Sequence, residues 1–478
     1  MMFTTLALST ILHASLPSNT ELTVYNQGFA LVKEQRSLDL KKGVQQVAVE
    51  DVAQMIEANS VGIRSISEPG SFTVLEQNYQ YDLISVQAIL NKAVGQEIKF
   101  NRVLPDGKKE QIVGKLLTAP TNIVSDANGS QNMIWSGMVI RTNDGRILLN
   151  PTGELEVSSI PDGLISKPTL MWEVDANKSG TNQIELSYLT QGMSWKCDYV
   201  LALDGTGKVG DFKGWVTMTN NSGASFSGAK LKLLAGEVYR AQQPGRMGGS
   251  GGAEMAMDRL KAGNFQEEQF ADYHLYTMQR PATVRNNEIK QLSLLEAVNI
   301  PVRKKLVIDA MRGWGSTYPG DGEVGTGPIK PLVLIEFTND EASHLGMPLP
   351  MGTVKVFQRD KSNALQMLGE ASIQHTPKNE KLSLPVGRAF DLVAERKRMS
   401  FKWLGNSNRG CVETFEIELR NRKETPETVH VYERHWGEWK VTDHNLPFVK
   451  LDSETIDFVV ELKPNEVKKV TYTVETRW

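Results

Sequence analysis

The strongest constraint on this chain is its punctuation. Apolar and polar residues alternate in short runs, and Gly, Asn or Pro interrupts them at intervals of roughly eight to twelve residues. Residues 36–40 and 44–49 alternate in this way around Lys41-Lys42-Gly43. Pro105-Asp106-Gly107, Asn143-Asp144-Gly145 and Lys463-Pro464-Asn465-Glu466 each separate two further runs. Side chains of a strand point alternately to its two faces, so each run buries one face and wets the other. An Asp-Gly pair between such runs is a hairpin signal. The pattern predicts an all-β fold of immunoglobulin-like β-sandwiches with a few short helices. Two helices are expected, over 85–92 with Ser85 as N-cap and over 51–59 capped by Asp51.

At 478 residues the chain exceeds what one hydrophobic core serves, so several domains are expected. The runs divide it into N-terminal strands over 18–82 and a small barrel-like insertion over 83–160. A middle sandwich follows over 161–300, carrying a Gly-rich loop at 242–257. Connecting strands and a second Gly-rich stretch fill 301–350, and a C-terminal immunoglobulin-like sandwich occupies 351–478.

Residues 1–14 hold no charged side chain and read as the apolar region of a signal peptide, with possible processing by residue 17. His13 and the lack of an N-terminal Lys or Arg depart from the usual pattern. No later stretch approaches the ~20 apolar residues of a spanning helix, so the mature chain is expected to carry no transmembrane segment. The expected location is the periplasm or cell surface. A net charge of −3 gives no general attraction to nucleic acid, which is not expected as a partner. The two cysteines, Cys197 and Cys411, allow at most one disulfide. Separate buried thiols are the preferred reading and a single bridge the other.

The search for reactive spacing finds little. His430, His435 and His444 are the densest histidine group, but their spacing is not that of a zinc motif. They are candidate metal ligands set against a plainer reading, two exposed strand histidines and one in a loop. The Gly-rich 242–257 run lacks the Gly-Lys-Ser/Thr ending of a phosphate loop. Gly192-Met193-Ser194 continues into Trp195 within a strand, unlike a nucleophile elbow. Trp172, Trp195 and Trp215 fall in strands and read as sandwich anchors, with Trp195 and Tyr199 on one face. Trp314, Tyr318 and Trp436 are the candidate ligand-binding aromatics. No cofactor is implied.

The string Tyr188-Leu189-Thr190-Gln191-Gly192-Met193-Ser194-Trp195, with Tyr199 and Asn220-Asn221-Ser222-Gly223, resembles a bacterial exported family related to the mucoidy inhibitor A proteins. Val24-Tyr25-Asn26-Gln27-Gly28-Phe29-Ala30 and Glu418-Leu419-Arg420-Asn421-Arg422-Lys423 extend the likeness over most of residues 22–476. The resemblance implies β-sandwich domains and export, and supplies no catalytic residues. This chain lacks the long coiled-coil segment of the mucoidy inhibitors, which puts any function of that segment in doubt here. The reading is a non-enzymatic envelope module, structural or interacting, whose partner is an envelope protein or surface polysaccharide. The alternative is a surface protein that binds or hydrolyses glycans.

Overall fold

The computed structural model describes residues 11–103, 107–119, 121–125, 131–135, 137–240, 261–262, 265–311, 325–405 and 409–478. The fold is all-β and multi-domain, as the alternation predicts. Burial follows the period of two closely: in Met193–Leu203 every odd-numbered residue is buried, and in Phe29–Leu40 the even-numbered ones are.

Three cores organise the described residues. The largest draws on residues between Leu22 and Val386 and lies among four sheets. One of these sheets pairs Asn19–Tyr25 and Phe29–Leu40 with Gly180–Gln191 and Phe226–Ala235. The N-terminal strands therefore share one core with the middle strands, although the sequence divides them at 82 and 161. Another sheet runs in the order Glu288–Pro301, Val209–Asn220, Met193–Leu203, Gly352–Arg359, Leu365–Ile373. Its last two strands come from beyond residue 350. Conversely, Arg303–Asp309 and Leu332–Thr338 enter the C-terminal sandwich, which closes on a second core around Ile417, Val431, Phe458 and Tyr472. The sheets thus cut across the expected boundaries at 300 and 350.

The insertion has its own small core around Phe100, Leu116 and Ile140. Five of its strands form a sheet that runs from Ile147–Leu149 at one edge to Glu154–Val157 at the other, and among the described residues these edges do not pair. It is an open sheet, so the expected barrel-like closure is corrected. Its helix, Val86–Ala93, forms where predicted, with the Ser85 hydroxyl accepting the Ala88 N–H at 3.0 Å. The helix expected over 51–59 does not form. Asp51 has a left-handed φ of 65°, and only Ala58–Ser60 makes a single 3-10 turn. Tertiary pairing takes its backbone instead: Met55 N–H bonds the Ser222 carbonyl at 3.1 Å and Glu57 N–H the Leu189 carbonyl at 2.8 Å.

Two strands, Gly180–Gln191 and Met193–Leu203, form one bent ribbon that passes from the first sheet into the second. The bend is Gly192, at φ 81°. A Cβ there would lie 2.7 Å from Met55 Sδ and 2.9 Å from the Asn221 carbonyl oxygen, so only glycine fits. Asn220 ties the neighbouring turn. Fully buried, it donates to the Ala224 and Arg285 carbonyls at 2.9 and 3.0 Å and accepts the Ser222 N–H at 3.0 Å.

Candidate functional site

The C-terminal sandwich disperses the candidate histidines. His430 and His435 are buried, which corrects the expectation of exposed strand histidines. Neighbouring strands cover them. His430 Nδ1 lies 2.7 Å from Asp457 Oδ2, and the His435 ring packs on Trp439 and Tyr472 at 5.1 and 5.7 Å. His444 ends the exposed strand Glu438–His444, and its ring meets Phe448 at 5.2 Å. Among the described residues no group of three His, Cys, Asp or Glu side chains could hold a metal ion.

Trp436 is half-buried and packs on Trp478 at 5.2 Å, followed by Trp403 and Phe401. Successive rings are inclined by 35°, 66° and 86°, so they present edges as well as faces and form no flat sugar-stacking platform. Trp314 and Tyr318 lie outside the described residues, as does the Gly-rich run at 242–257. That run contains a Gly-x-Ser-x-Gly spacing at Gly248, Ser250 and Gly252. The glutamates of strand Gly410–Asn421 are half-buried in ion pairs: Glu413 with Arg398, Glu416 with Lys469 and Glu418 with Arg420.

Among the described residues, a feature suited to a ligand lies on the bent ribbon. One of its edges pairs with Phe29–Leu40 as far as Gln191. The same edge pairs again with Gly352–Arg359, starting only at Cys197. Residues 192–196 between them have no strand partner on that side among the described residues. The result is an inlet of about 350 Å³, walled by Asn26, Trp195, Pro350, Met351, Ile373 and His375.

Both lips of the inlet are pinned. On one side the Asn26-Gln27-Gly28 turn is held by the Gln27 side chain, which donates to the Val238 carbonyl at 3.2 Å and accepts its N–H at 3.1 Å. On the other, Tyr276 and Tyr199 donate to the carbonyls of Pro348 and Pro350 at 2.9 and 2.8 Å. Leu349 forms a bridge with Thr376, and Met351 N–H bonds His375 Nδ1 at 3.2 Å. These bonds keep the lips from closing on each other.

Two polar atoms on the walls are buried without a hydrogen-bond partner, the Trp195 indole N–H and Asn26 Oδ1. Such atoms cost roughly 1–3 kcal/mol each, and native proteins leave few of them. Trp195 is only 3 % exposed, so its ring belongs to the core although the residue also lines the inlet.

The electrostatics favour binding over reaction. Burial pushes the Cys197 thiol up to about 12, so it stays protonated and poorly nucleophilic. His375 stands at the rim, and its partial enclosure lowers its pKa, with His274 adding to the effect. Because Nδ1 accepts the Met351 N–H, the neutral ring carries its proton on Nε2 as a donor. Lys196 and Asp198 at the mouth lie 3.4 Å apart and offset each other. The inlet therefore offers donors and an acceptor with no excess charge.

No family model matches the chain, and no curated protein matches it either. Sequence reading singled out Trp195 as a core residue and passed over Asn26, Met351 and His375 as site residues. Asn26 appears in the sequence only within the Val24–Ala30 string that carries the family resemblance.

Proposed function

We propose that this is an exported β-sandwich protein that serves as an interaction module of the cell envelope, holding its partner at the Trp195 inlet. The carrying observation is an inlet with fixed lips whose walls hold a buried donor and a buried acceptor without partners. A partner that supplied both missing bonds would remove a cost that the free protein bears. Export rests on the apolar leader over 1–14 and on the resemblance to the mucoidy inhibitor A relatives. Processing after residue 14 would remove the two-residue strand Leu12–His13 and leave the long strands intact.

Two measurements test the reading. Cell fractionation with mass spectrometry of the mature N-terminus should find an envelope protein beginning between residues 14 and 18; full-length protein in the cytoplasm would refute export. A photo-cross-linking residue at Ser372, exposed on the inlet rim, should capture an envelope protein in living cells, while one at Leu149, exposed on the edge strand of the separate insertion sheet, should not. Failure of the Ser372 cross-link removes the inlet as the interaction site. Glycan-array binding lost on Trp436→Ala would favour the glycan reading instead.

A further inference from the structure

We infer that the inlet accepts an uncharged, extended segment of a partner polypeptide, which adds as a short strand along residues 192–196. The inference rests on the interaction-module reading and names the partner's chemistry.

The backbone direction carries the argument. In a strand the N–H and C=O of one residue point to the same edge, and those of the next residue to the other. The Gly192 carbonyl accepts the Asn221 N–H at 2.7 Å, on the edge away from the inlet. The Cys197 carbonyl lies on the inlet edge, where a Cβ on Gly352 would stand 2.2 Å from its oxygen. The register with Val209–Asn220 runs without a break from Met193 to Leu203, so odd-numbered residues share the inlet edge. Trp195 therefore turns its backbone N–H and C=O toward the inlet edge, while its ring packs in the core. An unpaired strand edge of this kind is a template for another chain.

Size and polarity narrow the occupant. Five residues of strand span roughly 16 Å at about 3.3 Å each, enough for three or four residues of an added segment. An anion would face Asn26 Oδ1 and Asp198, and a cation would face the Trp195 indole N–H and Lys196. A peptide group brings one donor and one acceptor and meets neither conflict. A sugar would look for an exposed aromatic face, but the Trp195 ring is buried in the core. Pro350, Met351 and Ile373 provide apolar walls for the segment's side chains.

The test is a phage-displayed hexapeptide library selected on the intact protein. Uncharged, β-prone peptides should be enriched, and in their complexes exchange of the Trp195 amide hydrogen should slow. N-methylation of a selected peptide should abolish binding at alternate positions only. Trp195→Phe, which removes the indole N–H, should weaken binding by up to about tenfold. Met351→Trp, a change at a residue 44 % exposed, should block the inlet while leaving the fold intact. Enriched peptides that tolerate N-methylation at every position, or that bind Met351→Trp unchanged, would overturn strand addition. A library that yields nothing while Ser372 still cross-links a partner also overturns it and leaves the interaction reading standing. If both fail, both readings fall.

Discussion

Arg396 shows how a single charged residue is kept inside a sandwich. Its guanidinium lies 3.0 and 2.8 Å from the Glu433 carboxylate and 3.8 Å from the Phe415 ring centre, and Tyr472 donates to the same carboxylate at 2.5 Å. Burial opposes the charge, and Glu433 and Tyr472 outweigh it, so the Arg396 pKa is raised. Removing one partner leaves a buried charge without compensation, whereas replacing both can be nearly neutral. Arg396→Met should cost about 3–5 kcal/mol in urea unfolding, and Arg396→Met with Glu433→Met should recover most of it. His435, beside this pair, adds a pH dependence. Burial lowers its pKa from 6.5 to about 4, with Glu433 opposing the shift and Arg396 adding to it. The unfolded chain then takes up the proton first as pH falls. Stability present above pH 6.5 should decline toward pH 4, at up to about 1.4 kcal/mol per unit and roughly 3 kcal/mol in all. Unfolding midpoints at pH 7, 5.5 and 4.5 should show this slope in the native protein and a shallower one in His435→Phe. Equal slopes would rule out His435 as its source.

Between elements, buried asparagines repeat one device. Asn339 donates to the Met347 and Pro377 carbonyls at 2.8 and 2.9 Å and accepts the Gly346 N–H at 3.1 Å. Asn421 donates to the Thr425 and Lys463 carbonyls at 2.9 and 3.0 Å and accepts the Lys423 N–H at 3.0 Å. With Asn220, each ends or follows a long strand and ties the next loop to a distant one. Asn421→Ala would strand two carbonyls and an N–H, and should cost about 2–4 kcal/mol at an unchanged denaturant slope. A cost below about 0.5 kcal/mol would mean water replaces the side chain. In the sequence Asn220 and Asn421 stand in the strings that carry the family resemblance but do not show as ties, because their partners lie up to 65 residues away. The Val86–Ala93 helix was legible because its signal, Ser85, is local. The 51–59 segment was misread because its backbone bonds go to Leu189 and Ser222. The inlet was illegible for a related reason: it exists only because Phe29 and Gly352 begin their pairing at different points of one ribbon.

For the whole molecule, sheet membership rather than chain order decides what can be cut away. The insertion joins the rest through chain segments that pair with each other, Ile84 N–H to the Ile165 carbonyl at 2.9 Å and Ile165 N–H to the Asp82 carbonyl at 3.1 Å. Its core is separate from the large one. Replacing residues 85–164 with a short Gly-Ser linker should leave a folded protein whose melting temperature moves by only a few degrees. A chain ending at residue 350 should fare differently, because Cys197 to Leu203 would lose a seven-residue partner and expose a central strand. Such a fragment should be insoluble or bind a dye for exposed apolar surface. A monomeric, cooperatively melting fragment would contradict this account of the sheet.

The late return of Gly352–Arg359 also bears on time. The strand it joins is made about 150 residues earlier, so the middle sheet cannot be completed while that part of the chain is still emerging. Loop closure over such a distance is slow relative to hairpin formation. Through that interval the ribbon from Met193 onward carries its open edge at full length, and a holding factor or a fast translocation step would have the most to protect there.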